Sequence, residues 1–399
     1  MNRFRAGGRG PRSWLLAGFL SGVLVIVAAL LALTQTPWGQ ARVLAFMLGA
    51  VEGGMRGEIT VERVRGNLLT GARLYQVAVV DTVGDTLIRA DSAFLQYSLR
   101  TLVSGDVSLS RIRLFGAEAT LRRLPGDTVW NYQKMFPPPD EPGPPRATIL
   151  ERVELLGGTF LLQIPWAPAQ GLSPTERERA ISAALSGESR LLVSRAPGGF
   201  LRTLRFSDLD AVMPKVQIGP DTLGGTYLEV EEFRGRVQIW RDPIRVHALS
   251  GELALSSEVL EFRASPIRLP SSRLSAFGVM RMTDTPPPID VTFGGEEVAF
   301  KDLQWLYPRL PDQGGGTLVL TIETRPEGTL YLARELDVTA PGTRLRGDFG
   351  IVIGDSVHFA GVDLAADPLD LSTIEELLPE GLPVRGLEIG TVRARSTDR

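Results

Sequence analysis

No cysteine occurs in the 399 residues, which excludes a disulfide framework, a thiolate nucleophile, cysteine-ligated zinc and an iron–sulfur cluster. Histidine is scarce, with only His247 and His358, and lysine is limited to Lys134, Lys215 and Lys301. Multi-histidine metal sites, Schiff bases and phosphate-loop lysines have little to draw on. Each histidine follows a valine in a strand-like run and shares its spacing with no second histidine or carboxylate pair, so both read as strand residues. A basic excess is also missing: 43 Lys plus Arg face 46 Asp plus Glu, a net charge of -3, which argues against a nucleic-acid partner. The arginines are spread along the chain and read as solvated sheet faces. Gly53-Gly54 and Gly314-Gly315-Gly316 are not followed by the Lys-Ser/Thr of a phosphate loop and read as turns. There is no Gly-x-Ser-x-Gly elbow and no His-Glu-x-x-His. Glu231-Glu232, Glu296-Glu297 and Glu375-Glu376 form no acid/base dyad, because strand neighbours face opposite ways and helix neighbours diverge. The chain reads as a non-enzyme without a cofactor.

What is present begins with one long apolar run. Trp14 to Leu33 is twenty residues free of Asp, Glu, Lys, Arg, Asn, Gln and His, enough at ~1.5 Å per residue to cross a ~30 Å hydrocarbon core. Arg3, Arg5, Arg9 and Arg12 precede it with no acidic residue, a positive-inside flank. The run is too long, and too poor in a small-x-small ending, for a cleaved signal peptide. The expectation is a cytoplasmic tail over 1–13, a single-pass signal-anchor over 14–34, and the bulk of the chain outside the inner membrane. Thr36 and Pro37 then start a helix continued by Val43 to Leu48, either buried or lying on the membrane with Trp38 at the interface.

From Glu58 the period changes to two. Ile59 and Val61, Leu74 and after a slip Val77 and Val79, then Thr86 to Tyr97, read as strands rich in aliphatic and aromatic residues. Asp81 to Asp85 reads as a hairpin connection. Val107, Leu109, Ile112 and Leu114 alternate with one phase slip, which predicts a bulge near Ser110-Arg111. Residues 58–123 thus read as consecutive antiparallel strands. Phe136 to Pro145 is too proline-rich for helix or central strand. Ser173-Pro174-Thr175-Glu176 spells a capping box leading into Arg177 to Leu185, a helical insertion over 173–186. Short strands follow over 190–194, 202–206, 227–230, 235–240, 251–255 and 259–263.

The second half repeats. Leu274 to Val279, Ile289 to Phe293, Asp302 to Pro308 and Gly314 to Leu320 return about 70 residues later as Leu345 to Ile351, Val357 to Leu364, Asp370 to Pro379 and Gly386 to Gly390. Such a period marks units that stack lengthwise. The expected organisation is a first β unit over 35–135, a proline-rich linker over 136–147, a second β unit over 148–284 and two repeats over 285–399, read as one piece of a longer array. The fold class is mainly β: an N-terminal transmembrane helix, then antiparallel strands in an elongated, curled open sheet with a few short helices.

The signal-anchor followed by Thr36-Pro37-Trp38-Gly39-Gln40 resembles the start of AsmA-family proteins, TamB-like members in particular. The run Ile59 to Leu74, with Arg65-Gly66-Asn67-Leu68-Leu69-Thr70-Gly71 inside it, is similar to the same family, as is Val246 to Leu255. The likeness covers most of the chain and is one of layout rather than of a sharp motif. It implies a long, twisted β groove with an apolar inner wall, anchored in the inner membrane and reaching through the periplasm. It further implies outer-membrane biogenesis as a translocation and assembly module or phospholipid transporter. The C-terminal domain through which TamB meets an outer-membrane barrel assembly protein is not seen here.

A groove also follows from physical argument. Leu318, Leu320 and Ile322 face one way, while Thr317, Val319, Thr321 and Glu323 face the other. Together with Leu253, Leu255, Leu87 and Phe94 they are the candidate lining of an open apolar trough. At ~4.8 Å per strand, about 20 stacked strands would extend roughly 95 Å. Each buried methylene is worth about 0.8 kcal/mol, so a phospholipid or other acyl lipid could bind by burial alone. If the same residues pack into an ordinary core, the chain is instead a membrane-tethered structural or binding module.

Overall fold

The computed structural model describes residues 56–370 apart from 67–70, 83, 98–107, 136–147, 169–170, 220–223, 257, 282–287, 306–307 and 355–356, together with 392–395. The expected membrane anchor, the helix after it, the proline-rich linker and the second short helix at 371–379 lie outside the described residues. Among the described residues no helix is long and apolar enough to cross a membrane.

Twenty strands form one sheet. In chain order they are β1 (Gly57–Arg65), β2 (Gly71–Asp81), β3 (Thr86–Tyr97), β4 (Ser108–Phe115), β5 (Glu118–Arg122), β6 (Thr148–Leu150), β7 (Val153–Trp166), β8 (Val193–Ala196), β9 (Gly199–Met213) and β10 (Lys215–Ile218). They continue as β11 (Thr226–Gln238), β12 (Ile244–Leu255), β13 (Val259–Arg268), β14 (Arg273–Arg281), β15 (Ile289–Ala299), β16 (Gly315–Arg325), β17 (Gly328–Ala340), β18 (Thr343–Ile353), β19 (Val357–Ala366) and β20 (Val392–Arg395). Three helices are described: α1 (Asn131–Met135), α2 (Pro174–Ser186) and α3 (Phe300–Leu303).

The pairing is a meander. β1, β2 and β3 pair in sequence order, and β11 to β20 do the same, all antiparallel. Strands of all three expected β units therefore share one curled sheet. Four pairs of segments run collinearly (β4 with β5, β6 with β7, β9 with β10, β8 with β11), so twenty strands make sixteen rungs. The span is nearer 70 Å than the 95 Å expected from strand count.

One step departs from the antiparallel expectation. The β4/β5 rung pairs in parallel with the β6/β7 rung, Ile112 opposite Val153 and Ala119 opposite Phe160. A parallel step needs a connection long enough to return to the starting end. Residues 123–147, with α1 and the proline-rich stretch, supply it.

The helical insertion forms as its sequence spells. Ser173 caps α2 in extended conformation (φ -61, ψ 160), its hydroxyl accepts from the Glu176 amide, and the Glu176 side chain reaches back to the Ser173 amide. Gly187 ends the helix at φ 87, a left-handed conformation that favours glycine. The glycine triplet behaves differently from the expected turn: Gly315 and Gly316 lie inside β16. A Cβ on either would come within 1.9 Å of a carbonyl, of Val298 and of Asp337 respectively, so the strand approaches its neighbours closely only because these side chains are missing.

Bulges recur near the middle of strand after strand. The predicted one is present: Gln96 lies opposite Arg111 but Tyr97 opposite Leu109, leaving Ser110 as the extra residue. The slip in β2 falls at Gln76, at φ 49. Others occur at Gly157 (φ 64), Asp208 (φ 52), Ser265-Pro266, Glu335 (φ 53) and Gly361 (φ 88), while Gly116 (φ 56) turns the chain between the collinear β4 and β5. Two bulged amides donate to an aspartate of the next strand, Gly157 to Asp210 Oδ1 at 2.8 Å and Glu335 to Asp348 Oδ1 at 2.9 Å. Each extra residue shifts the alternation by one, and the apolar positions in sequence shift with it. Both arms of a strand therefore keep their apolar side chains on the same face, while the bulge bends the strand and curls the sheet.

Candidate functional site

Following the register from strand to strand assigns every row to one of two faces. One face carries Leu253 and Leu255 of β12, Leu260 and Phe262 of β13, Ala276 and Met280 of β14, Val291 and Phe293 of β15, Leu318, Leu320 and Ile322 of β16, Tyr331 of β17, Ile351 and Ile353 of β18 and Phe359 of β19. It continues through Leu155, Phe160 and Leu162 of β7 to Leu114 of β4 and Leu74 of β2. The opposite face carries most of the charges, paired across strands: Arg89 with Glu118 at 2.6 Å, Arg234 with Asp210 at 2.9 Å and Arg344 with Asp337 at 2.9 Å. It also carries exposed Phe277 and Val279 and buried Leu330 and Val352.

The structure thus brings Leu253, Leu255, Leu318, Leu320 and Ile322 together on one face. Leu87 is the extra residue between the pairs Thr86–Val80 and Ile88–Val79, and it is buried at 6 % exposure. Phe94 is a correction: its row partners are Arg73 and Arg113, on the charged face. The slip beside Gln76 puts Ala93 and Leu95 on the apolar side, and Phe94 between them must point away.

The line of bulges divides the apolar face of β11 to β19 into two strips. On one side several large apolar side chains stay open to solvent, Leu255 and Phe293 at 38 %, Ile353 at 48 % and Phe359 at 63 % exposure, while Val291 between them is buried and Leu318, Leu320 and Ile322 are half-buried. On the other side Ile244, Val246 and Leu269 form a buried cluster against Phe233, Val237, Leu249, Ile267, Leu274 and Trp305. Trp305 arrives on the connection after α3, where buried Asp302 accepts from the Ser271 amide at 2.6 Å. Core and open wall, alternatives in sequence, coexist on one face.

The charged face also buries one carboxylate. Glu154 of β7, 9 % exposed, sits at the parallel step and accepts from Arg113 Nε at 2.6 Å and Arg152 Nε at 2.9 Å, with Arg111 at 3.6 Å. The Arg113 and Arg152 hydrogen bonds hold its carboxyl below the ordinary glutamate value, against the opposing effect of burial. This is a structural ion cluster. Among the described residues no group of three His, Asp or Glu is placed to hold a metal ion, and His247 and His358 are both exposed. Comparison with protein-family models, with curated proteins and with solved structures finds no match for the chain.

Proposed function

We propose that the chain is an inner-membrane-anchored periplasmic protein of the AsmA/TamB type, whose curled apolar face binds acyl chains and carries phospholipid between membranes or supports outer-membrane biogenesis. The observation that carries this reading is the strip of solvent-open aliphatic and aromatic side chains from Leu255 to Phe359. A soluble sheet ordinarily buries such a face or interrupts it with polar residues, and a contiguous exposed apolar strip marks a binding surface. A lipid tail fits it chemically: burial of methylenes supplies the affinity, and no polar recognition is required along the path. The apolar run expected to anchor the chain at 14–34 and the resemblance to the family favour the envelope setting.

The test is photocrosslinking in the full chain within membranes. A photoreactive residue at Leu320 or Tyr331, in the open strip, is expected to capture phospholipid. The same residue at Val246, in the closed cluster, should crosslink only within the protein. Capture of protein alone at Leu320 and Tyr331 would replace the lipid reading by the second one, a tethered structural or binding module.

A further inference from the structure

Among the described residues charge enters the apolar face around the β7–β9 pair, where the edge strand β8 also places Arg195 opposite Phe200. Within strands paired on both sides, and away from their end residues, Arg202 of β9 is the one charged residue that the register puts on this face among the described residues. Arg202 lies opposite Ile164 of β7. On the far side of β7 the β5 pairing ends with Arg122 opposite Gln163, and the Arg123 amide continues it by donating to the Gln163 carbonyl at 3.0 Å. Arg122 turns to the charged face and bonds Asp85, so alternation turns Arg123 to the apolar one. The two arginines therefore flank Ile164 from either side, two rungs or about 10 Å apart at the backbone.

Their surroundings match. Arg123 stacks on Trp130 with its guanidinium carbon 5.4 Å from the ring centroid, and Arg202 stacks on Trp240 at 4.8 Å, a ring that Arg190 also meets at 5.2 Å. Among the described residues neither makes an ion pair with a carboxylate; Arg202 Nη2 donates to the Ile239 carbonyl at 3.3 Å. Buried N–H donors remain unpartnered at Arg123 Nε, Arg202 Nε and Trp240 Nε1. Other arginines among the described residues also lack a carboxylate partner, Arg63 and Arg73 stacking on Tyr75 and Phe115 among them, but those lie on the charged face. Arg123 and Arg202 are instead held by tryptophan rings on the apolar face, beside Phe160, Phe206, Leu162 and Leu204. An unpaired cation on an apolar surface calls for an anion, and arginine's planar fork matches phosphate oxygens.

We infer that Arg123 and Arg202 form a clamp for the phosphate group of an anionic phospholipid, whose acyl chains lie along the neighbouring apolar rows. The inference rests on the lipid reading above and adds to it a fixed headgroup position and a preference for negative charge.

The test is equilibrium binding of radiolabelled dioleoylphosphatidylglycerol and dioleoylglycerol to the detergent-solubilised full chain. The phospholipid should bind the wild-type chain tighter than dioleoylglycerol, and Arg123→Gln or Arg202→Gln should each weaken it about tenfold while leaving dioleoylglycerol within twofold. Equal binding of both lipids to wild type, or unchanged phospholipid binding in both variants, overturns the clamp and leaves the lipid reading intact. No binding of either lipid overturns both. Binding of inorganic phosphate that Arg123→Gln and Arg202→Gln abolish, with no preference of the wild-type chain for the phospholipid over dioleoylglycerol, would overturn the lipid assignment in favour of free phosphate. If the glutamine variants lose their near-ultraviolet tryptophan signal, Arg123→Lys and Arg202→Lys keep charge and stem. A threefold or larger loss of headgroup preference is then expected, since lysine lacks the fork, and no loss overturns the clamp.

Discussion

Glu154 has a role that its neighbours in sequence do not suggest. Its carboxylate is the common acceptor for arginines from β4 and from the residue preceding β7, across the one parallel step among the described residues. Glu154→Gln keeps the shape and removes the charge, leaving partly buried guanidiniums without a counter-ion. A loss of about 2 kcal/mol is expected in denaturant unfolding. Because the folded-state pKa is depressed, the charge stabilises above the unfolded-state value and that contribution fades as pH falls through the folded one. The wild-type advantage over Glu154→Gln should therefore be full at neutral pH and shrink below about pH 4; an advantage that persists unchanged at pH 3 would contradict the assignment.

At the scale of elements, α2 and the bulges respond to local chemistry. Ser173→Ala removes the cap and half of the reciprocal box, at an expected cost of about 1 kcal/mol to the folded state. Urea midpoints would show it. Gly157 holds φ 64 with open space where a Cβ would stand, so Gly157→Ala meets conformational strain alone, about 1 kcal/mol. Substituting Gly347 is a harsher case: at φ 121 its Cβ would lie 1.9 Å from the Asp363 carbonyl. Gly347→Ala should unfold the β18–β19 pairing locally, read as faster amide exchange there than in Gly157→Ala.

For the whole molecule, the bulge line separates a strip that stabilises from a strip that is left open. Val246→Asn places an amide in the closed cluster and should cost about 3 kcal/mol. Leu320→Gln, on the open strip, should cost about 1 kcal/mol or less while reducing lipid capture several-fold. Thermal melts read beside lipid crosslinking separate the two; similar destabilisation by both would mean that the open strip is core.

Much was legible from residue order because alternation is local. The strands, the slip at Ser110, the capping box of α2 and the shared face of Leu318, Leu320 and Ile322 all follow from a period of two or 3.6 and from caps within one turn. Long-range register was not. Phe94 lies on the charged face because of the slip beside Gln76, and Gly315 and Gly316 are strand residues because of carbonyls 17 and 21 positions away in sequence. Arg123 and Arg202, 79 residues apart in the sequence, meet around Ile164 only through the parallel step. Sequence alone determined that one face of the sheet would be apolar, since hydrophobic spacing is written residue by residue. Only the tertiary structure decided which part of that face is covered, because coverage depends on where distant connections such as the one bearing Trp305 come to rest.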